Sequence, residues 1–227
     1  MEQEFGKNLM KEFKIDITQL AQEEWEMKIL AGFFATNFAR QLIFKGGTAL
    51  RLAYNSPRFS EDLDFTLNGK LEVEEFTKTL KKIANQYPEL TLVESQSKFY
   101  TYFALFKIKE SWLNQAFSIK VEISKRQKEE KNEIRTLISP TTNLQVIARV
   151  QTLEQILNDK IAAAKTRDKA RDFFDLWYIY QLKREPVNLP KKEINEQKFK
   201  SELRKFLPNN YWPVVDEIIK KLNNDNS

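Results

Sequence analysis

Asp62 and Asp64 stand two residues apart within Ser60-Glu61-Asp62-Leu63-Asp64-Phe65. Asp62–Leu67 alternates polar and apolar residues, as a half-buried strand does. Residues two apart on a strand project to the same face. The two carboxylates therefore point one way, and Leu63 and Phe65 turn to the buried side. Held about 5 Å apart, the two charges repel by roughly 3 kcal/mol at an effective dielectric near 20. A divalent cation converts that repulsion into binding. Mg²⁺ suits the pair, because it takes a few carboxylates and completes its shell with water and phosphate oxygen. One ion or two could be held. A third acid is expected from a neighbouring strand, and Glu122 in Phe117-Ser118-Ile119-Lys120-Val121-Glu122-Ile123 has apolar flanks that fit. A bare Asp-x-Asp, or a lone Glu on an alternating strand, could equally be the wet face of an edge strand. The residues in front of the pair decide between the two.

Those residues are Gly46-Gly47-Thr48, preceded by the strand-like Leu42–Phe44 and followed by a helical pattern over Thr48–Tyr54 and a turn at Asn55-Ser56-Pro57. Glycines at the mouth of a helix let the backbone approach a phosphate, and a helix N-terminus favours negative charge. The Thr48 hydroxyl can add a donor. The unit strand, Gly-Gly-Thr, helix, turn, Asp-x-Asp strand thus has both a phosphate cradle and a cation site.

Composition narrows the remaining chemistry. The 227 residues contain no cysteine and no histidine. Disulfides, thiolate zinc sites, cysteine nucleophiles, histidine bases and histidine-ligated metals are all excluded. A hard cation on oxygen ligands is the natural remaining option. Lys plus Arg is 37 against 32 Asp plus Glu, a formal charge of +5, which is compatible with an anionic partner. The segment MEQEFGKNLMKEF has no apolar core of a secretory signal, and Ile29–Ala39 is too short an apolar stretch to span a bilayer. The expectation is a cytoplasmic protein without a membrane partner.

The positioning elements follow from periodicity. A helix is predicted over residues 18–40, with Thr18 able to cap it, and an amphipathic helix over 71–86 with Lys78, Lys81 and Lys82 on its solvated face. Strands are predicted at 90–95, 100–108 and 117–123, then a charge-dense loop or hairpin tip at Lys125–Glu133. Thr152-Leu153-Glu154-Gln155 fits a capping box, and helices are predicted at 153–166, 169–183, 196–206 and 211–222. The shift from mixed α/β to all-helical sequence falls near residue 143.

FKGGTALRL followed by RFSEDLDF (residues 44–52 and 58–65) resembles the polymerase-beta-type nucleotidyltransferase superfamily, and within it the AbiEii/AbiGii toxin family, which includes the MenT toxins. DKIAAAKTRDKARDFFDL, residues 159–176, is similar to that family's second diagnostic region. The resemblance implies an α+β fold. A polymerase-beta-like palm, a small mixed sheet with flanking helices, would occupy 1–143 as the catalytic domain. A C-terminal helical domain, 144–227, would complete the nucleotide cleft. It implies an Mg²⁺-dependent enzyme that moves a nucleoside monophosphate from a nucleoside triphosphate to a hydroxyl, with tRNA 3′ ends the first candidate acceptor. A cognate antitoxin encoded nearby is implied as well.

Read from its residues alone, the second segment is open. Lys160 lies in an apolar helical stripe with Leu153, Ile156, Leu157 and Ile161, where a lysine either snorkels to water or faces an interior site. Asp168, Arg171, Asp172 and Asp175 could be surface ion pairs. Ala170, Phe173, Phe174 and Trp177 read as core, and Tyr211 and Trp212 as packing anchors. The resemblance implies more: Lys160 on the nucleotide phosphates, and Asp172 or Asp175 assisting catalysis. Asp172 is the closer match, since it follows Arg171 as in the family's Arg-Asp pair. The implied catalytic set is Asp62, Asp64, Glu122, Lys160 and Asp172. The implied nucleotide-binding set is Gly46, Gly47, Thr48, Ser60, Lys160, Arg167 and Asp175. Two rival functions remain on sequence grounds: a catalytically silent module that binds nucleoside triphosphate, and nucleotidyl transfer to a small molecule.

Overall fold

The computed structural model describes residues 3–126 and 129–224. The helices are α1 (Gln3–Phe13), α2 (Ile17–Phe34), α3 (Gly46–Tyr54), α4 (Val73–Ala84), α5 (Leu153–Thr166), α6 (Ala170–Lys183), α7 (Glu196–Arg204) and α8 (Trp212–Asn224). The strands are β1 (Leu42–Lys45), β2 (Asp62–Leu67), β3 (Leu90–Ser97), β4 (Thr101–Ile108), β5 (Phe117–Ser124), β6 (Asn132–Ser139) and β7 (Thr142–Gln151). Among the described residues the strands form one mixed sheet in the order β3-β4-β5-β2-β1-β7-β6. β2 lies antiparallel to β1 and parallel to β5, and β1 is parallel to β7. The expected α+β architecture is therefore present: a sheet with flanking helices and a helical C-terminal part.

The sheet's buried face carries Phe44, Leu63, Phe65, Ala104, Phe106, Val121, Ile123 and Val150, each essentially inaccessible. α2 packs over this face. It is buried around most of its circumference, Gln22, Glu23, Glu24 and Glu26 included, so it sits inside the fold instead of presenting one stripe. Its buried acids need partners, and Glu23 accepts from Arg51 Nε at 2.5 Å and from Ser139 Oγ at 2.6 Å. Two expectations at this helix are corrected. Asp16, not Thr18, caps it, accepting from the Thr18 amide at 2.8 Å. It ends at Phe34, where the Thr36 hydroxyl bonds the Phe33 carbonyl at 2.7 Å, and Asn37–Gln41 continues as a 3₁₀ turn.

A larger difference is the β6–β7 hairpin, which composition shows as a transition to helix. Residue 143 lies inside β7, and the all-helical part starts at Leu153. Ile134, Ile138, Leu144 and Ile147 are exposed. Apolar residues thus fall on both faces of the hairpin, and the period-2 signal is blurred. At α5 the expected Thr152 cap is present, accepting from the Gln155 amide at 3.3 Å, but the Gln155 side chain bonds Asp159 and leaves the box half made. The Lys125–Glu133 segment runs into β6 at Asn132, and its residues 127 and 128 lie outside the described ones. Lys78, Lys81 and Lys82 are exposed as expected. Among the described residues no helix is long and apolar enough to cross a membrane.

Candidate active site

The register of three strands assembles the acids. Asp64 in β2 is paired with Lys45 in β1 on one side and with Glu122 in β5 on the other; Asp62 is paired with Lys120. Leu63 and Phe65 are buried beneath, so Asp62 and Asp64 stand together on the opposite face, as their spacing requires. Lys120 was not singled out from the sequence, although period 2 puts it on the same face as Glu122. Its ammonium lies 3.3 Å from Asp62 Oδ2 and 3.4 Å from Glu122 Oε2, supplying countercharge between the two acids. Burial pushes the Asp64 carboxyl above the usual carboxylate range, and the neighbouring Asp62 charge adds to it while Lys120 opposes it. Burial alone would lower the Lys120 ammonium, but Asp62 and Glu122 hold it above the ordinary lysine value.

Gly46 and Gly47 are the first two residues of α3, so the amides at its N-terminus adjoin the carboxylates. Gly46 has φ +80°, and a Cβ there would meet Asp64 Oδ2 at 3.0 Å. A Cβ on Gly47 would meet Arg58 Nη2 at 2.3 Å and Ser60 Oγ at 2.9 Å. Thr48 is fully buried, and its hydroxyl donates to the Asp62 carbonyl at 2.6 Å. It ties α3 to β2.

Lys160 does not snorkel. It is buried in α5, with Nζ 2.9 Å from Asp172 Oδ1 and 2.5 Å from Asp175 Oδ2. Asp172 also accepts from Arg167 Nε at 2.7 Å and Nη2 at 3.0 Å. Asp175 accepts two further bonds from Arg58, which is 1 % exposed. Burial alone would raise both acids; Lys160 with Arg167 holds Asp172 below the usual range, and Arg58 with Lys160 does so for Asp175. Arg58 went unnoticed in the sequence, though it begins the Arg-Phe-Ser-Glu-Asp-Leu-Asp-Phe run. Phe173 and Phe174 are core, as read, with Trp177 packed against it.

A cleft of about 390 Å³ joins the two groups. Gly46, Gly47, Ser60, Asp62, Asp64 and Glu122 line it from the sheet side, and Lys160, Arg167 and Arg171 line it from α5 and α6. Thr48, Asp172 and Asp175 do not line it; they are buried behind the residues that do. Gln151 and Asp159, hydrogen-bonded at 2.9 Å, also border it, and Glu130 bonds Gln151 and Thr66 at 3.0 Å beside Lys45. Glu130 and Gln151 lie outside the sequence motifs, and Asp159 opens the second one without being singled out there. Among the described residues, no group of three or more acids is set closely enough to hold a metal ion by protein ligands alone. The oxygen-only pair Asp62 and Asp64 nevertheless fits a hard cation that keeps water and phosphate in its shell.

The family profile described as nucleotidyl transferase AbiEii toxin, type IV TA system, matches residues 28–224. The solved structures that are similar include two of note. One is JHP933 from Helicobacter pylori, 20 % identical, with a TM-score of 0.56 over 93 % of this chain and 96 % of that one. The other is MenT4, the nucleotidyltransferase toxin Rv2826c of Mycobacterium tuberculosis H37Rv, 17 % identical, with a TM-score of 0.51 over 80 % of this chain and 62 % of that one. At these identities the likeness shows the fold. A search of curated proteins finds no match.

Proposed function

The chain belongs to the AbiEii family of nucleotidyltransferase toxins of type IV toxin–antitoxin systems and is a nucleotidyltransferase; from that premise we propose that it transfers a nucleoside monophosphate from a nucleoside triphosphate to an RNA hydroxyl, with a tRNA 3′ end as first candidate, in an Mg²⁺-dependent reaction in the cytoplasm. One observation supports this reading above others. Carboxylates on β2 and cations on α5 and α6 line a single cleft, the two charge sets that a metal-bound triphosphate needs.

Asp62 and Asp64 would hold Mg²⁺, with Glu122 beside them. Bound there, the ion would neutralise triphosphate charge as it builds on the leaving group. The α3 N-terminus at Gly46 and Gly47 receives phosphate oxygens. Lys160 and Arg167 add point charges on the same oxygens, and Asp172 and Asp175 fix the position of Lys160. Asp172 is a poor proton acceptor, since both its oxygens are engaged by cations. Glu122, two-fifths exposed at its side chain, is the better candidate. The acceptor oxygen bonds to the α-phosphorus, the bond to the bridging oxygen breaks, pyrophosphate leaves, and the hydroxyl proton passes to Glu122. The antitoxin partner that goes with the family would restrain this activity.

The test is incubation with α-labelled nucleoside triphosphates and total RNA, in Mg²⁺ or in chelator. Label should enter RNA only with Mg²⁺. Equal labelling in chelator, or label confined to small molecules, would overturn the reading.

A further inference from the structure

Beyond Glu122 the sheet continues for two more strands, and among the described residues one of its faces there is the less covered one. Tyr102, Ala104 and Phe106 of β4 are buried, with Phe76 of α4 against the Tyr102 ring, whereas Phe103 and Leu105 between them are only half-buried and Lys107 is exposed. Phe103 is the register partner of Glu122, and Gln96 of β3 is the partner of Phe103. With strands about 4.8 Å apart, Phe103 sits one strand from Glu122 on the same face.

This face ends at the turn between β3 and β4. Phe99 there is 83 % exposed and Tyr100 53 %, with their rings edge to face at 4.5 Å. Two rings of this face, Phe103 and Tyr100, have a cation at hand. Lys98 Nζ lies 4.9 Å above the Phe103 ring, and the Arg126 guanidinium lies 5.0 Å from Tyr100. Lys125 fixes the turn, donating to Ser97 Oγ at 2.8 Å and the Lys98 carbonyl at 2.5 Å. The acid on this part of the face, Glu94, is already bonded by Gln96 at 2.5 Å.

Folding does not explain rings so exposed. Rings alternating with cations, on a sheet face continuous with the reacting carboxylates, match a single-stranded polyanion whose bases stack while its phosphates meet charge. A duplex would need the cations but not the rings. We propose that the unpaired 3′ end of the RNA acceptor runs across this face from the 98–100 turn to Glu122. One base stacks on Phe103, its neighbours stack on Phe99 and Tyr100, and Lys98 and Arg126 hold the phosphates. This rests on the reading that the acceptor is RNA, and adds which surface presents it and in what form.

The test uses Phe103→Ala, Phe103→Trp and the double variant Lys98→Glu/Arg126→Glu, with nucleotide transfer to RNA and calorimetric binding of nucleoside triphosphate measured separately. For RNA with an unpaired 3′ end, Phe103→Ala should raise KM by about 5- to 100-fold, and Phe103→Trp should restore it. The double variant, both of whose changes lie at the sheet's edge turn and loop, should raise KM and flatten its salt dependence. Triphosphate affinity should stay within about twofold throughout. RNA whose 3′ end is closed in a duplex should be a poor substrate. Transfer with KM unchanged in Phe103→Ala and in the double variant would overturn the track while leaving the RNA reading intact. So would equal use of the duplex end by the wild type. A wild-type protein that binds triphosphate yet labels no RNA would instead overturn the RNA reading and the track with it.

Discussion

Arg58 and Asp175, 117 residues apart in the chain, meet through two parallel hydrogen bonds, Nε to Oδ1 at 2.6 Å and Nη2 to Oδ2 at 2.8 Å, both out of contact with water. The pair fastens the turn before β2 to α6. It also closes a relay: Asp175 holds Lys160, Lys160 holds Asp172, and Asp172 holds Arg167. The carboxylates and the cations of the cleft are therefore placed relative to each other by buried charge.

Arg58→Met should be costly because it leaves Asp175 with Lys160 alone. Removing one partner of a buried pair costs about 3–5 kcal/mol, a fall in melting temperature on the order of 10 °C for a chain of this size. Arg58→Lys keeps the charge but not the two parallel bonds and should fall between. Calorimetric melts decide it; a Met variant melting within about 2 °C of wild type would show the pair to be dispensable.

Gly47→Ala tests the phosphate cradle. The added carbon would stand 2.3 Å from Arg58 Nη2, whose guanidinium cannot yield without releasing Asp175. Triphosphate affinity should fall by at least about tenfold, with a loss of stability of about 1–3 kcal/mol from overpacking. Calorimetry with nucleotide, beside a thermal melt, reads both; wild-type affinity in a folded variant would place the phosphates elsewhere.

Lys160→Ala should weaken triphosphate binding more than monophosphate binding. It should also destabilise the protein by about 3 kcal/mol, since it leaves Asp172 and Asp175 short of a partner. A surface lysine would do neither. Paired titrations with the two ligands and a melt make the distinction.

Acid should act through the same relay. The folded protein holds Asp172 and Asp175 below the ordinary aspartate range. Their contribution to stability is therefore complete above the unfolded value, about 3.9, and is lost as pH falls from there toward the folded value. Asp172→Asn should be less stable than wild type near pH 7, with the gap narrowing as pH falls below about 4. Denaturant melts across that range check it, and a gap independent of pH would count against the ionised pair.

Much of the site was legible because short-range rules govern it. Period 2 put Asp62 and Asp64 on one face and Leu63 and Phe65 on the other, and the break at Gly46-Gly47 marked the helix mouth. What escaped was set by contacts distant in sequence. Arg58 looks like any turn arginine until α6, folded back over it, brings Asp175. Lys160 has the same apolar neighbours in either orientation, and only the packing of α6 settles that it points inward. Thr48 has the right place for a phosphate donor, yet its hydroxyl is taken by the Asp62 carbonyl, which no spacing reveals. The β6–β7 hairpin escaped because Ile134 and Ile147 face outward and defeat the alternation that would have marked it.

Asp64→Asn separates a metal site from a merely wet strand face. In the folded protein, burial and then the charge of Asp62 hold the Asp64 carboxyl above its ordinary value. A carboxyl raised in this way binds its proton more tightly folded than unfolded. As pH climbs through the folded value the protein therefore loses stability, and at neutral pH the ionised group is a net burden in the absence of metal. Asparagine keeps the shape and removes the charge, so without Mg²⁺ the variant should melt at or above the wild-type temperature. Lys120 limits the gain, since its ammonium already offsets part of the repulsion. With Mg²⁺ and nucleotide the order should reverse. Ligand at about 100 times its Kd stabilises the wild type by about 2.7 kcal/mol, and a variant short of one carboxylate should gain much less. Transfer activity should fall by at least about 100-fold. An aspartate that holds no metal would leave activity and the Mg²⁺ effect on melting unchanged when replaced. The decisive measurement is a set of four melts, each protein with and without Mg²⁺ and nucleotide, beside one activity assay, and a fully active Asp64→Asn protein would end the two-carboxylate reading.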